Sequence, residues 1–236
     1  MVTGSNTWPA GWQPIPSVNI QIEDTLVVGI DDADGVQYCA FNRLNHQPLT
    51  SVGACSIEEF HAWKSRTDVT CYHFAPSEEA AWFPKGWVED PNLWMSPLGE
   101  GPWERRVIDA GIELIHRPIN SKSTADSLMA HNAERWLRDV KATEVVHVHR
   151  LGKRLEICVI NSGRIIMHNQ YEVYGPQDAA YVSMLAYDQC GLQGQHVRLV
   201  WEGDADAKCW DILQQFIQNI DHSASQRWSA FSALLP

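Results

Sequence analysis

The sequence predicts an α/β protein made of two halves with the same order of elements. Three observations carry that expectation. Runs of strand-forming residues broken by tight-turn pairs open each half and lead into amphipathic helices. The two opening runs, Val27-Val28-Gly29-Ile30-Asp31 and Val145-Val146-His147-Val148-His149, align at an offset of 118 residues (145 − 27). The chain has 236 residues, 44% of them hydrophobic and 20% charged, which suits a folded protein with room for one large core or two lobes of about 100 residues each.

In the first half, residues 7–16 mix proline and tryptophan, which stops regular structure and offers apolar anchors, so 1–20 reads as an arm. Leu26 to Ile30 is a strand, Asp34-Gly35 a tight turn and Val36 to Phe41 the returning strand. A further strand is expected at 49–54. Ser56 then caps a helix to about Arg66, with Ile57, Phe60 and Trp63 on one side, and Val69 to Phe74 is the next strand. Between 76 and 103, prolines at 76, 84, 91, 97 and 102 interleave with Trp82, Trp87, Trp94 and Trp103, and an irregular insert is expected. A short helix at 104–109 and a strand at 112–116 close the half.

The clearest helix follows, at 123–140, where Ala125, Leu128, Met129, Ala133, Trp136, Leu137 and Val140 keep i, i+3, i+4 spacing and Ser123 with Asp126 forms a capping-box-like start. Strands at 145–149, 155–160 and 164–169, joined by Gly152-Lys153 and Asn161-Ser162-Gly163, make a meander. Gly175-Pro176 opens a helix that ends before Gly191. Val197 to Trp201 is a strand, and Asp204 is expected to cap a last helix striped by Trp210, Leu213, Phe216, Ile217 and Ile220. The division that results is an arm (1–20), a first lobe (21–120, with the insert 76–103) and a second lobe (121–236, including the linking helix 123–140).

Composition excludes several function classes. A net charge of −11 opposes a phosphate backbone, so no nucleic-acid partner is expected. Six dispersed cysteines without a CxxC pair form neither a zinc knuckle nor a dithiol motif and read as reduced thiols. No stretch approaches the ~20 apolar residues of a membrane span and residues 1–20 lack a secretory pattern, so a cytoplasmic location is expected. His147 and His149 share a strand face and, with His116 or His131, resemble zinc ligands, but no carboxylate or cysteine at ligand spacing completes the set, so no metal is expected. No Gly-x-Ser-x-Gly elbow is present, and no catalytic residue is assigned.

The second half resembles an uncharacterised bacterial family, domain-of-unknown-function family thirty-eight twenty-two. The resemblance rests on His131-Asn132-Ala133-Glu134-Arg135-Trp136, Met167-His168-Asn169-Gln170-Tyr171, Gln177-Asp178-Ala179-Ala180-Tyr181 and Leu199-Val200-Trp201-Glu202-Gly203. It implies two ribonuclease-H-like lobes in an actin-like ATPase arrangement, each a mixed sheet from a three-strand meander plus alternating helices and strands. Active members of that fold carry an Asp-x-Gly turn after the first strand of each lobe: aspartate for a metal ion, glycine so that backbone N–H groups reach phosphate. The first turn here reads Asp31-Asp32-Ala33-Asp34-Gly35, with alanine at the glycine position. At the offset of 118 the second reads His149-Arg150-Leu151-Gly152, in which both key positions are replaced, by His149 and Leu151. The adenosine turn resembles Trp201-Glu202-Gly203-Asp204.

Vestigial nucleotide contacts are thus expected at Asp31, Asp32, His149 and Gly203, with no cofactor beyond weak Mg-ATP binding. The expected function is a non-catalytic, pseudo-ATPase module for protein binding or scaffolding, which meets its partner through the loop 76–103, at Trp82, Trp87 and Trp94, or through the N-terminal arm. The alternative is a divergent metal-dependent ATPase using Asp31. The partner's identity and homo-oligomerisation stay open.

Overall fold

The computed structural model describes residues 22–32, 35–45, 47–99, 103–108, 111–118, 125–139, 144–204 and 206–222. The expected N-terminal arm, the turn residues Ala33 and Asp34 and the helix start at Ser123 lie outside them. The chain divides into two units, one ending at His131 and the next beginning at Asn132.

The first unit opens with β1 (Thr25–Asp32) and β2 (Gly35–Asn42), an antiparallel hairpin in which Asp32 pairs with Gly35. β3 (Gly53–Cys55) adds to β2. The helix α1 (Ile57–Lys64) starts at a complete capping box, with Ser56 Oγ accepting from Glu59 N and Glu59 reaching back to Ser56 N. It buries Phe60 and Trp63 on the sheet face that carries Val27, Val36, Tyr38 and Ala40. β4 (Thr70–Ala75) lies parallel to β1.

The segment expected to be irregular is largely regular. β5 (Ser77–Pro84) is a full strand, α2 (Pro91–Trp94) a single turn, and β6 (Glu104–Val107) is a strand where a helix was expected. Both β5 and β6 pair antiparallel with β7 (Ile112–Pro118). Alternation explains the strand. Ala80 and Trp82 pack with Leu114 on one side, while Ala81 and Phe83 pack with Ile115, Val88 and Met95 on the other. Pro76 and Pro84 bracket the strand without interrupting its ladder, as proline at an edge-strand end permits. β6 is an edge strand carrying Glu104, Arg105 and Arg106, charges that discourage further pairing.

β8 (Asp126–Ser127) pairs with β4, so Asp126 belongs to a strand and not to a capping box. The helix α3 (Leu128–Asp139) begins later than its apolar spacing predicts, with Ser127 Oγ accepting from Ala130 N.

The second unit repeats the plan. β9 (Glu144–Leu151), β10 (Arg154–Asn161) and β11 (Arg164–Glu172) form the meander. α4 (Pro176–Gln189) follows, then β12 (Arg198–Gly203), parallel to β9, α5 (Ala207–Leu213) and β13 (Ile220–Asp221). Asp206, not Asp204, caps α5 through Lys208 N, and the helix ends at Leu213, which leaves Phe216 exposed. Among the described residues, sheet order is β3-β2-β1-β4-β8 in the first unit and β11-β10-β9-β12-β13 in the second. The two orders are the same topology, and both sheets are mixed.

One face of the second sheet is apolar. Val146, Val148, Leu155, Ile157, Val159, Leu199 and Trp201 pack against α4 and α5. All six cysteines are free thiols. Burial pushes Cys39 up to about 11 and Cys71 up to about 12, so both stay protonated at neutral pH. Among the described residues, no helix is long and apolar enough to cross a membrane.

Candidate functional site

The repeat has a register that sequence matching misses by one residue. The first hairpin closes at Asp32↔Gly35 and the second at Leu151↔Arg154, so the turns coincide at an offset of 119 (151 − 32), not 118. The core faces agree: Val27 faces α1 as Val146 and Val148 face α4 and α5. Because strand side chains alternate, a one-residue slip exchanges the two faces. The counterpart of Asp31 is therefore Arg150, and His149 points to the opposite side of its sheet. The second turn reads Arg150-Leu151-Gly152. It has exchanged the aspartate for a cation and kept the glycine, whereas the first has kept the aspartate and replaced the glycine with Ala33.

Asp31 lies on the α1 face of the first sheet and is fully buried. Its Oδ1 is 2.6 Å from His73 Nε2 on β4. The His73 ring sits between Phe60 (centroids 4.8 Å apart) and His61 (5.3 Å), both on α1. Burial, and after it the neighbouring His73, lower the pKa of His61. Asp32 contributes the last rung of the hairpin through its backbone.

His149 belongs to a polar array on the α3 face of the second sheet. His147, His149, Glu156, His168 and Glu202 are all buried on the strands, and Asn132, Arg135 and Trp136 approach from α3. His168 Nε2 is 2.7 Å from Glu156 Oε1. Asn132 Nδ2 donates to Glu156 Oε2 at 2.8 Å and lies 3.4 Å from His149 Nδ1. Arg135 makes a two-pronged ion pair with Glu202, Nη1 donating to Oε1 at 2.6 Å and Nη2 to Oε2. His147 stacks on Trp136 with ring centroids 5.2 Å apart and planes 15° from parallel. Burial drives the pKa of His147 down to about 3 and lowers that of His149, so both rings are neutral at pH 7. Burial would raise Glu202, but the Arg135 guanidinium overcomes it and holds the carboxyl below its usual range.

Gly203 ends β12 with φ +88°, and a Cβ there would lie 2.0 Å from the Arg150 carbonyl oxygen. Packing of β12 on β9 accounts for this glycine without a ligand. Asp204, just beyond it, donates its N–H to Arg150 O at 2.9 Å, and its Oδ2 accepts from Gly152 N at 2.7 Å. Trp201 Nε1 in turn donates to Asp204 O at 3.0 Å.

Of the three tryptophans expected to bind a partner, Trp82 is half-buried against Leu114, Met129 and Ala130. Trp87 and Trp94 are 65% and 49% exposed, with ring centroids 6.5 Å apart, and the exposed Leu93 sits beside Trp94 on α2. Among the described residues, no three His, Cys, Asp or Glu side chains are grouped to hold a metal ion.

Sequence reasoning did not name His73 or Glu156, and it gave no site role to Gly152, His168, Arg135, Glu202 or Asp204. A signal for part of the set is present: His147 and His149, Glu156, His168 and Glu202 are polar residues in otherwise apolar strands. Only pairing brings them onto one face.

Residues 122–220 match the model of a family described as Protein of unknown function (DUF3822). No curated protein matches the chain by sequence. Among solved structures, a Bacteroides thetaiotaomicron protein with actin-like ATPase fold and unknown function is similar with TM-score 0.65 and 10% identity, covering 91% of this chain and 97% of that one. The cytoplasmic domain of EpsL from Vibrio cholerae, an inner membrane component of the type II secretion system, gives TM-score 0.44 at 10% identity over 75% of this chain and 81% of its own. The ethanolamine utilization protein EutJ from Carboxydothermus hydrogenoformans gives 0.42 at 9% identity over 94% and 91%. The chain has the actin-like ATPase fold, and its residues 122–220 match the model of a family of unknown function.

Proposed function

We propose that the protein is a non-catalytic member of the actin-like ATPase fold that works by binding another protein. The observation that carries this reading is that the groups a nucleotide would use are engaged inside the protein. The Asp31 carboxylate is buried and bound to His73, the second turn offers Arg150 where a metal-binding aspartate would stand, and the Gly152 N–H is taken by Asp204. These residues do not fit a magnesium–nucleotide complex, which needs an accessible carboxylate and unclaimed N–H donors. Calorimetric titration with Mg-ATP should show no binding tighter than the millimolar range in the wild type or in Asp31→Ala. Micromolar binding and turnover in the wild type, lost in Asp31→Ala, would establish the metal-dependent ATPase instead.

The binding surface in this reading is the exposed pair Trp87 and Trp94 with Leu93. Paired exposed aromatics are the residue class that anchors interfaces. Glu89 and Asp90 are exposed beside them, and the net charge of −11 favours a partner with a basic rim around an apolar anchor. Replacing Trp87 and Trp94 together with alanine should cut partner retention by more than about tenfold with an unchanged melting temperature, since neither ring is buried. Undiminished retention would remove the surface from the proposal.

A further inference from the structure

We propose that the exposed rings of Trp87 and Trp94 are a seat for the guanidinium of an arginine carried by the partner protein. The inference rests on the protein-binding reading above and names the chemistry of the partner's anchor. An arginine brings an apolar stem and a charged planar head, so the apolar anchor and the basic rim are supplied by one side chain.

The rings are exposed but their backbone is anchored. Val88 and Met95, each one residue beyond a tryptophan, are buried at 1% and 2% exposure. Trp94 meets Phe83 of β5 in a T-shaped contact with centroids 6.1 Å apart, and Phe83 packs with Val88, Met95 and Ile115. Trp87 opens from Trp94 at 39° with centroids 6.5 Å apart. Cation–π attraction extends to about 6 Å from a ring centre, so one guanidinium can lie within reach of both indoles.

The chain builds the same set twice with its own residues. The Arg117 guanidinium carbon is 5.0 Å from the centre of the Trp103 ring and its Nη2 donates to Glu79. That of Arg135 is 5.4 Å from the centre of Trp136, and its Nη1 donates to Glu202. Each guanidinium meets an indole and a carboxylate together. At Trp87 and Trp94 the indoles are present, and the exposed acids Glu89 and Asp90 stand between them in the chain. Asp90 caps α2 through Oδ1, which leaves Oδ2 for another donor. Of the cations in this region, Arg105 is engaged with the carbonyls of Val88 and Glu89, and Lys85 is exposed at the start of the loop. Among the described residues the cations seated over rings are Arg117, Arg135 and Lys153, on Trp103, Trp136 and Tyr174. The set at Trp87 and Trp94 lacks its guanidinium. Arginine suits it better than lysine, because a planar head stacks on an indole while its edge donates to a carboxylate.

Indole N–H NMR of the full chain tests it. The probe is N-acetyl-arginine amide and the control N-acetyl-citrulline amide, a neutral group of nearly the same shape, both at constant ionic strength. The two indole resonances are assigned by their loss in Trp87→Phe and Trp94→Phe. The arginine probe should move both with saturation, at a midpoint at least about threefold below that of citrulline, the scale of one exposed cation–π contact. Glu89→Gln combined with Asp90→Asn, which keeps a capping side chain on α2, should narrow that ratio. Equal midpoints, unmoved indole resonances, or a ratio that the acid variant leaves unchanged overturn the proposal. Movement on raising the protein concentration without probe would make a second copy the occupant and overturns it too. None of these results alters the partner retention measured with the double alanine variant, so the protein-binding reading stands or falls separately.

Discussion

Glu202→Ala should lower the stability of the second unit by about 3–5 kcal/mol, the cost of leaving a buried charge without its partner. The Arg135 and Glu202 side chains are only 3% and 5% exposed, and the guanidinium meets the carboxylate through two parallel hydrogen bonds. With the carboxylate gone, Arg135 remains buried with its contact over Trp136, 5.4 Å from the ring centre, a weak offset to desolvation. Arg135→Met should cost a similar amount for the mirror reason. The double variant Arg135→Met with Glu202→Leu should recover most of the loss, because an apolar pair of like volume needs no charge compensation. Urea unfolding followed by circular dichroism measures all four proteins. Single losses that simply add in the double variant would show that the two side chains act independently.

Acidification should destabilise the same unit well before carboxylates titrate. Burial holds His147 near pKa 3 and keeps His149 low as well, against about 6.5 for histidine in the unfolded chain. Between those values the unfolded chain takes up protons that the folded one refuses, so stability is full above about pH 6.5 and declines on going down. Each histidine contributes about 1.4 kcal/mol per pH unit, and the pair about twice that. Glu202, held low by Arg135, extends the decline below about pH 4.3 through the same sign, since its folded form resists protonation longer than its unfolded form. In the first unit, burial lowers His116 to about 4 and imposes a similar slope between about pH 6.5 and 4. His147→Phe keeps a ring against Trp136 and removes one titrating group, so the slope of stability between pH 6 and 5 should fall by about 1.4 kcal/mol per unit. A slope that does not change would mean His147 is protonated in the folded protein.

Both effects come from one feature, a sheet whose two faces are built differently. The face under α4 and α5 is apolar, and the face under α3 holds three histidines and two glutamates. In the sequence this appears only as polar residues scattered among apolar ones at 147, 149, 156, 168 and 202. Each strand read alone looks like a half-exposed strand. Their burial follows from α3 lying on them and bringing Asn132 and Arg135 to the carboxylates.

The insert shows the opposite failure. Five prolines and four tryptophans between 76 and 103 read as a break in structure, yet the stretch from Ser77 to Pro84 is a strand. Its alternation was present in Ala80, Ala81, Trp82 and Phe83, but strand pairing with β7 decides that both faces are covered, and pairing over a separation of some thirty residues is not a local property. The short stretch at 104–107 has no apolar period of either kind, so its state is set by the neighbour it pairs with.

What the sequence determined by itself is what short-range chemistry controls: the tight turns at Gly35 and Gly152, the helix cap at Ser56, the proline-opened α4, and the recurrence of hairpin, strand, helix and strand that makes the fold legible. The tertiary structure decided the rest by setting register. A shift of one residue, from 118 to 119, moves His149 away from the position matching Asp31, puts Arg150 there, and restores Gly152 to the turn. Matching apolar letters cannot resolve that shift, because Val145-Val146 and Val27-Val28 align almost as well either way. The hydrogen-bonded ladder can, because each rung fixes which face a side chain meets. The partner that each polar group finds, His73 for Asp31 and Asp204 for Gly152, is fixed by that ladder too.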